Sequence, residues 1–237
     1  LFLLIFIITI IYSCEKRKIK EQKPTLVVGI VIDQMRFDYL TKYADRYGEY
    51  GFKKLLNKGF SLTNAHFNHL GTYTAVGHAS IYTGTTPSDH GIIGNNWYDK
   101  YLKETIYCVD DSTYNSIGTQ GYSGMKSPKR LITTTITDQV RLGQNMKGKS
   151  IGIAIKDRSS ILPAGHTATS AYWYEGKDEN NWISSSYYMD KLPKWVIDFN
   201  SNNKTDEYLS KPWNTLYPIA SYTQSLADDN PFEGTFN

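Results

Sequence analysis

Residues 25 to 32, Thr25-Leu26-Val27-Val28-Gly29-Ile30-Val31-Ile32, form a continuous apolar run dominated by β-branched side chains. A run without polar alternation reads as a strand buried on both faces, as in a parallel sheet covered by helices. It stops at Asp33. Downstream, Phe52, Leu55 and Leu56 follow helical spacing, and Gly59 closes the segment. Phe60 to His66 alternates loosely and is expected as a second strand. Thr74 to Tyr82 is expected as a helix, and Leu131 to Leu142 as an amphipathic helix stopped by Gly143. Ser150 to Ile155 is expected as another buried strand, ending at Lys156. The order β-α-β-α-α-β predicts an α/β fold with an open sheet. Ligands of such sheets gather beyond the carboxyl ends of the strands, which singles out Asp33 and the Lys156–Arg158 pair on topology alone.

The chain changes character at residue 169. From there to 237 it is rich in Tyr, Trp, Ser and Asn and is broken by Pro193, Pro212, Pro218 and Pro231. One helix is expected over Lys194 to Phe199. Residues 24–168 thus read as the first part of an α/β domain and 169–237 as a lobe inserted into it or capping it. A length of 237 residues fits one large domain or two small ones. Hydrophobic residues at 40% and charged residues at 21% describe a folded globular chain. The net charge of +3 argues against nucleic acid as a partner. Two cysteines exclude a disulfide framework and a four-cysteine zinc module. Cys108 reads as a small buried filler.

The first 23 residues point to the cell envelope. Leu1 to Tyr12 would span about 18 Å as a helix, short of the roughly 30 Å hydrocarbon core, and reads as a signal-peptide hydrophobic region. It ends in Ile11-Tyr12-Ser13-Cys14, which resembles a bacterial lipobox. Residues 1–13 are then a cleaved signal, Cys14 is the lipidation site, and 14–23 is a charged tether. A membrane anchor with a truncated start and an ordinary cleaved signal are the alternatives. The expected location is the bacterial envelope, as a periplasmic or outer-membrane lipoprotein, with membrane contact through lipid or signal only. The chain lacks an initial Met and stops at Phe236-Asn237 with no obvious closing element, so it is expected to be a fragment.

Four clusters carry chemistry. Asp33, at the end of a hydrophobic strand, is a carboxylate that needs a cation or several donors. A divalent metal, a helix cap or an ion pair with Arg36 would each serve. Thr74 sits where a loop enters a helix whose free N–H groups favour an anion. It is a helix cap or, if a metal or base lowers its pKa, a nucleophile. Asn95, in the glycine-rich stretch after Gly84, has an amide able to donate to a phosphoryl oxygen. Lys156-Asp157-Arg158 offers two cations to a tetrahedral dianion, or only turn chemistry and a surface ion pair.

Together these residues resemble the PafA-type alkaline phosphatases of the alkaline phosphatase superfamily. The likeness rests on Val31-Ile32-Asp33-Gln34-Met35-Arg36, Thr72-Tyr73-Thr74 followed by Gly77-His78-Ala79-Ser80-Ile81-Tyr82-Thr83-Gly84-Thr85-Thr86-Pro87, His90-Gly91-Ile92-Ile93-Gly94-Asn95 with Trp97-Tyr98-Asp99, and Lys156-Asp157-Arg158. It covers about residues 24 to 237. The resemblance implies a three-layer α/β/α sandwich with an open, mostly parallel sheet, of which this chain is an N-terminal part. It implies hydrolysis of small phosphate monoesters through a phosphothreonine. Asp33 would ligate one of two zinc ions, Thr74 would be the nucleophile on that zinc, and Asn95, Lys156 and Arg158 would hold the phosphoryl oxygens.

The family's zinc site also needs an Asp-(x)3-His, an Asp-His pair and a distal His. None of His66, His69, His78, His90 and His166 follows an Asp by four positions. Asp89-His90 lies before Asn95 and reads as loop structure. The remaining ligands are therefore expected outside this chain, and the fragment alone is expected to be inactive. The competing functions are a nucleotide pyrophosphatase or phosphodiesterase of the same superfamily, and a non-catalytic envelope lipoprotein. The Lys156–Arg158 clamp favours a dianionic monoester. The sulfatase modification motif is absent. The oligomeric state is left open.

Overall fold

A computed structural model describes residues 24–177, 179–227 and 230–232. The expected signal, tether and Cys14 lie outside the described residues. The helices are α1 (Tyr39–Lys42), α2 (Phe52–Lys58), α3 (Thr74–Thr83), α4 (Pro87–His90), α5 (Ile136–Gly143), α6 (Asp157–Ala164), α7 (Lys194–Asn200) and α8 (Lys204–Leu209). The strands are β1 (Asn96–Asp99), β2 (Glu104–Tyr107), β3 (Ser116–Ile117), β4 (Ile151–Ala154), β5 (Ser170–Glu175) and β6 (Asn181–Ser185). Among the described residues no helix is long and apolar enough to cross a membrane.

β1 and β2 form an antiparallel hairpin, and a second sheet has the order β3-β6-β5-β4. In that sheet β4 and β5 run parallel across α6, and the other two pairings are antiparallel. Gly152 makes the crossover tight: a Cβ there would meet the Ser160 carbonyl oxygen at 2.3 Å. The strand expected over Ser150 to Ile155 is β4, but it is not buried on both faces: Ile151 and Ile153 are exposed and Gly152 is buried. The Tyr/Trp-rich region beginning at residue 169 shares β5 and β6 with this sheet, because β5 is the parallel partner of β4.

The main core gathers Ala75 and Ala79 of α3, Ile161 and Leu162 of α6, and Ala171, Trp173 and Ile183 of the sheet, with Ile92, Val109 and Leu131 from the connections. A satellite cluster places Tyr172, Leu192 and Val196 under α7.

Three expectations are corrected. The run Thr25 to Ile32 makes no strand, and Leu26, Val27, Val28 and Ile30 are exposed. A strand exists through its ladder, and its apolar pattern states a need for neighbours without supplying them. Phe60 to His66 is likewise unpaired and exposed. The helix expected from Leu131 starts at Ile136 instead, because Thr135 and Asp138 form a reciprocal capping box. Gly143 is its last residue rather than its stop. The helices at Phe52, Thr74 and Lys194 lie where helical spacing predicts.

Candidate active site

Asp33 opens a turn in which Gln34 takes a left-handed conformation at φ 58°. The turn aims the Gln34 N–H at Asp33 Oδ1, 3.0 Å away. The other carboxylate oxygen accepts a hydrogen bond from Thr74 Oγ1 at 2.9 Å, across 41 residues of chain. Arg36 is not its partner; that guanidinium makes a two-pronged pair with Asp38 at 2.9 and 3.0 Å. The ion-pair alternative for Asp33 is therefore set aside.

Thr74 is the first residue of α3, one position inside the helix, and the capping position belongs to Tyr73 without a side-chain cap. Its hydroxyl is thus not spent on the helix end. Behind it, His78 Nδ1 meets the Thr74 carbonyl at 2.7 Å. A chain of hydrogen bonds runs inward from half-buried His69 through buried Ser80 to buried His90, with Ser80 Oγ 3.1 and 2.9 Å from the two rings. Burial holds His90 below the ordinary histidine pKa, so it packs as a neutral ring. Asp89 and His90, expected as loop structure, lie in α4, where Asp89 accepts hydrogen bonds from the hydroxyls of Thr85 and Thr86.

Asn95 is oriented by its neighbour. Its Oδ1 accepts the Ala75 N–H at 2.9 Å. A backbone N–H only donates, so the amide has one sensible orientation and its NH2 is the end left to offer a ligand. This bond also occupies one of the free N–H groups at the start of α3.

Lys156-Asp157-Arg158 follows the carboxyl end of β4, as expected, and leads into a helix. Lys156 is the extended residue before α6, and Asp157 and Arg158 are its first turn. Lys156 is exposed and Arg158 half-buried. Arg158 Nη1 donates to the Tyr107 hydroxyl at 2.9 Å, and that hydroxyl donates to Asp157 Oδ1 at 2.5 Å. Burial, then the charge of Asp157, pushes the Tyr107 pKa far up, so the phenol stays protonated. Burial works against the charge on Arg158, but the Tyr107 hydrogen bond and Asp157 outweigh it and raise its pKa. The Lys126 ammonium sits 5.2 Å from the Tyr107 ring centre. Beside it, burial pushes the Cys108 thiol up to about 12.

Two groupings are therefore assembled: Asp33 with Thr74 and Asn95, and Arg158 with Asp157 and Tyr107. No local signal in the sequence separates Tyr107 from the other tyrosines. Among the described residues no three His, Cys, Asp or Glu side chains cluster as a metal site.

The profile of the type I phosphodiesterase / nucleotide pyrophosphatase family matches residues 27–237. The chain belongs to this family. This member of the type I phosphodiesterase / nucleotide pyrophosphatase family is 52% identical over 217 residues to a Myroides odoratus protein named a calcium-transporting ATPase, covering 92% of the chain and 39% of that relative. It is 50% identical over 214 residues to alkaline phosphatase PhoV of Synechococcus elongatus, covering 90% of the chain and 39% of PhoV. Identity to alkaline phosphatase PafA of Elizabethkingia meningoseptica is 50% over 213 residues, with the same two coverages of 90% and 39%. The crystal structure of PafA superposes with a TM-score of 0.87 at 49% identity, covering 90% of this chain and 41% of that one. A solved PafA variant, substituted at one threonine, one asparagine, one lysine and one arginine, also gives a TM-score of 0.87. The chain spans about two fifths of the length of the curated relatives it matches. Its architecture is the alkaline-phosphatase-like α/β fold expected from the sequence, with a mixed rather than mostly parallel sheet among the described residues.

Proposed function

We propose that the protein hydrolyses phosphate monoesters through a phosphorylated Thr74. The observation that carries this is the Thr74 hydroxyl, free of the helix end and hydrogen-bonded to Asp33 at 2.9 Å, with Asn95 locked onto the N–H of the next residue. The relatives named alkaline phosphatases support it, as does the PafA variant whose four substituted residue types are those of Thr74, Asn95, Lys156 and Arg158.

In this reading Asn95 Nδ2, Lys156 and Arg158 bind the non-bridging phosphoryl oxygens. The Thr74 hydroxyl donates its proton to a hydrogen bond with Asp33 Oδ2. The Thr74 oxygen attacks phosphorus and gives up its proton, the bond to the ester oxygen breaks, and that oxygen takes a proton to leave as the alcohol; water then attacks phosphorus, the bond to Thr74 Oγ1 breaks, phosphate leaves and Thr74 regains its proton. The Asp33 carboxylate and Thr74 hydroxyl suit a divalent cation, both being hard oxygen donors within one coordination sphere of each other. They would hold one of two zinc ions, the other ligands coming from the part of the relatives' length this chain does not span. Such ions supply charge neutralisation at the attacking and leaving oxygens.

The family profile also names phosphodiesterases, so the ester class needs a test. A cationic clamp favours a dianion over a diester monoanion. In the full-length protein, Arg158→Ala is expected to lower kcat/KM for an aryl monoester roughly 10²–10³-fold and to spare a methyl aryl diester. Equal losses would favour the phosphodiesterase. The relative named an ATPase adds ATP to the panel, since its terminal phosphate is also a dianion. Thr74→Ala should abolish the acid-trapped phosphoenzyme; a phosphoenzyme that persists sinks the nucleophile assignment. The same reading has Cys14 acylated and the protein in the bacterial envelope. An intact mass of the envelope form expressed in a bacterial host checks this, and a mature N-terminus other than lipidated Cys14 refutes it.

A further inference from the structure

Building on that clamp, we infer that Tyr107 is the positioning residue of the phosphate site, setting the guanidinium of Arg158 and tying it to Asn95. Three hydrogen bonds close a small ring. Arg158 Nη1 donates to the Tyr107 oxygen at 2.9 Å, the Tyr107 O–H donates to Asp157 Oδ1 at 2.5 Å, and the Arg158 backbone N–H donates to that same carboxylate oxygen at 2.7 Å. The ring needs a group that accepts and donates at once. A protonated phenol does so; phenylalanine offers neither function. Arg158 Nε is buried with no hydrogen-bond partner, so Tyr107 is its guanidinium's anchor among the described contacts.

The effect is entropic as well as geometric. A free arginine gives up rotamer freedom when it is immobilised. One already held by Tyr107 gives up less when phosphate arrives.

Tyr107 also reaches the other phosphoryl donor. It is the last residue of β2, paired with Asn96 of β1. The N–H of the following residue, Cys108, donates to the Asn95 carbonyl at 3.0 Å. Asn95 is in turn pinned by Ala75. One hairpin end therefore spaces the amide of Asn95 from the guanidinium of Arg158. The charged groups around the ring are Asp157, Arg158 and Lys126, the last also ion-paired with Asp110.

The test is a double-mutant cycle in the full-length protein, reading kcat/KM for an aryl monoester and the inhibition constant of inorganic phosphate. Tyr107→Phe keeps the ring and its packing. With Arg158 present it should lower kcat/KM and weaken phosphate by roughly tenfold each, the scale of a hydrogen bond to a charged group. In the Arg158→Ala background the same change should cost less than twofold, because the positioned group is gone. Asp157→Asn, which keeps size and an acceptor oxygen, should fall between wild type and Tyr107→Phe. Equal losses in both backgrounds would make Tyr107 merely structural and overturn the inference while leaving the clamp intact. An Arg158→Ala enzyme with unchanged monoester activity would instead overturn the clamp, and the positioning role with it.

Discussion

From Asp33 to Tyr73 no side chain is buried, whereas every buried side chain among the described residues lies between Ala75 and Val196. The two regions meet at the Asp33–Thr74 hydrogen bond, so the candidate site joins one lightly held half to one firmly held half. The first region is not short of local order. It has α1, α2 and the ion pairs Arg36–Asp38 and Lys53–Glu49. Exposed pairs of that kind are worth roughly 0–1 kcal/mol, against about 25 cal/mol per Å2 of apolar surface buried. Local order and tertiary stability are thus separable. Thr74 rides on a helix anchored by Ala75, Val76 and Ala79, while Asp33 sits on an exposed turn. The carboxylate is therefore placed for chemistry, and its removal should cost the fold little.

Substitutions on the two sides sharpen this contrast. Ile161→Ala in α6, fully buried in the core, should destabilise by about 2–5 kcal/mol in urea unfolding. A value under about 1 kcal/mol would mean that the core is not where the stability lies. Next is Thr135→Ala, expected to cost roughly 0.5–2 kcal/mol by removing the α5 cap.

The same cap predicts an acid response. Burial pushes the Asp138 carboxyl up, but the N–H groups of Thr135 and Thr167 and the Thr167 hydroxyl outweigh it, and its pKa lies below the ordinary 3.8. The unfolded chain binds that proton more readily, so the stability is present above pH 3.8 and is lost as pH falls below it. Urea midpoints at successive pH values from 6 downward should show the loss, with a shallower slope in Thr167→Ala, which removes the hydroxyl that donates to Asp138. On the other side, Leu55→Ala and Asp33→Asn should each stay within about 0.5 kcal/mol of wild type. A large loss in either would erase the distinction between the halves.

The sequence showed what depends on neighbours along the chain. Helical spacing at Phe52, Thr74 and Lys194 was readable because a helix closes its own hydrogen bonds. Thr25 to Ile32 carried the strongest strand pattern, and pairing is a property of two segments, so pattern alone could not deliver a ladder. The start of α5 is legible in the sequence: Thr135 and Asp138 stand at capping-box spacing, which outweighs the apolar residues before them. Asp33, Thr74 and Asn95 could be named from their surroundings, and the distances that join them appear only in three dimensions. Tyr107 belongs to the class no local rule finds. Its role depends on Asp157 and Arg158, 50 and 51 residues away.

The parallel β4–α6–β5 crossover has a consequence for how the chain folds. Its register joins Ile151 to Ser170, a closure of 19 residues, whereas β3 and β6 join Ser116 to Ser185 across 69. By the logarithmic cost of loop closure the longer pairing gives up roughly 1 kcal/mol more chain entropy before any contact repays it. The crossover is thus the cheaper nucleus, and Lys156, Asp157 and Arg158 lie inside it. The backbone that carries the proposed clamp can take shape within one short loop, ahead of the distant strand that completes the sheet.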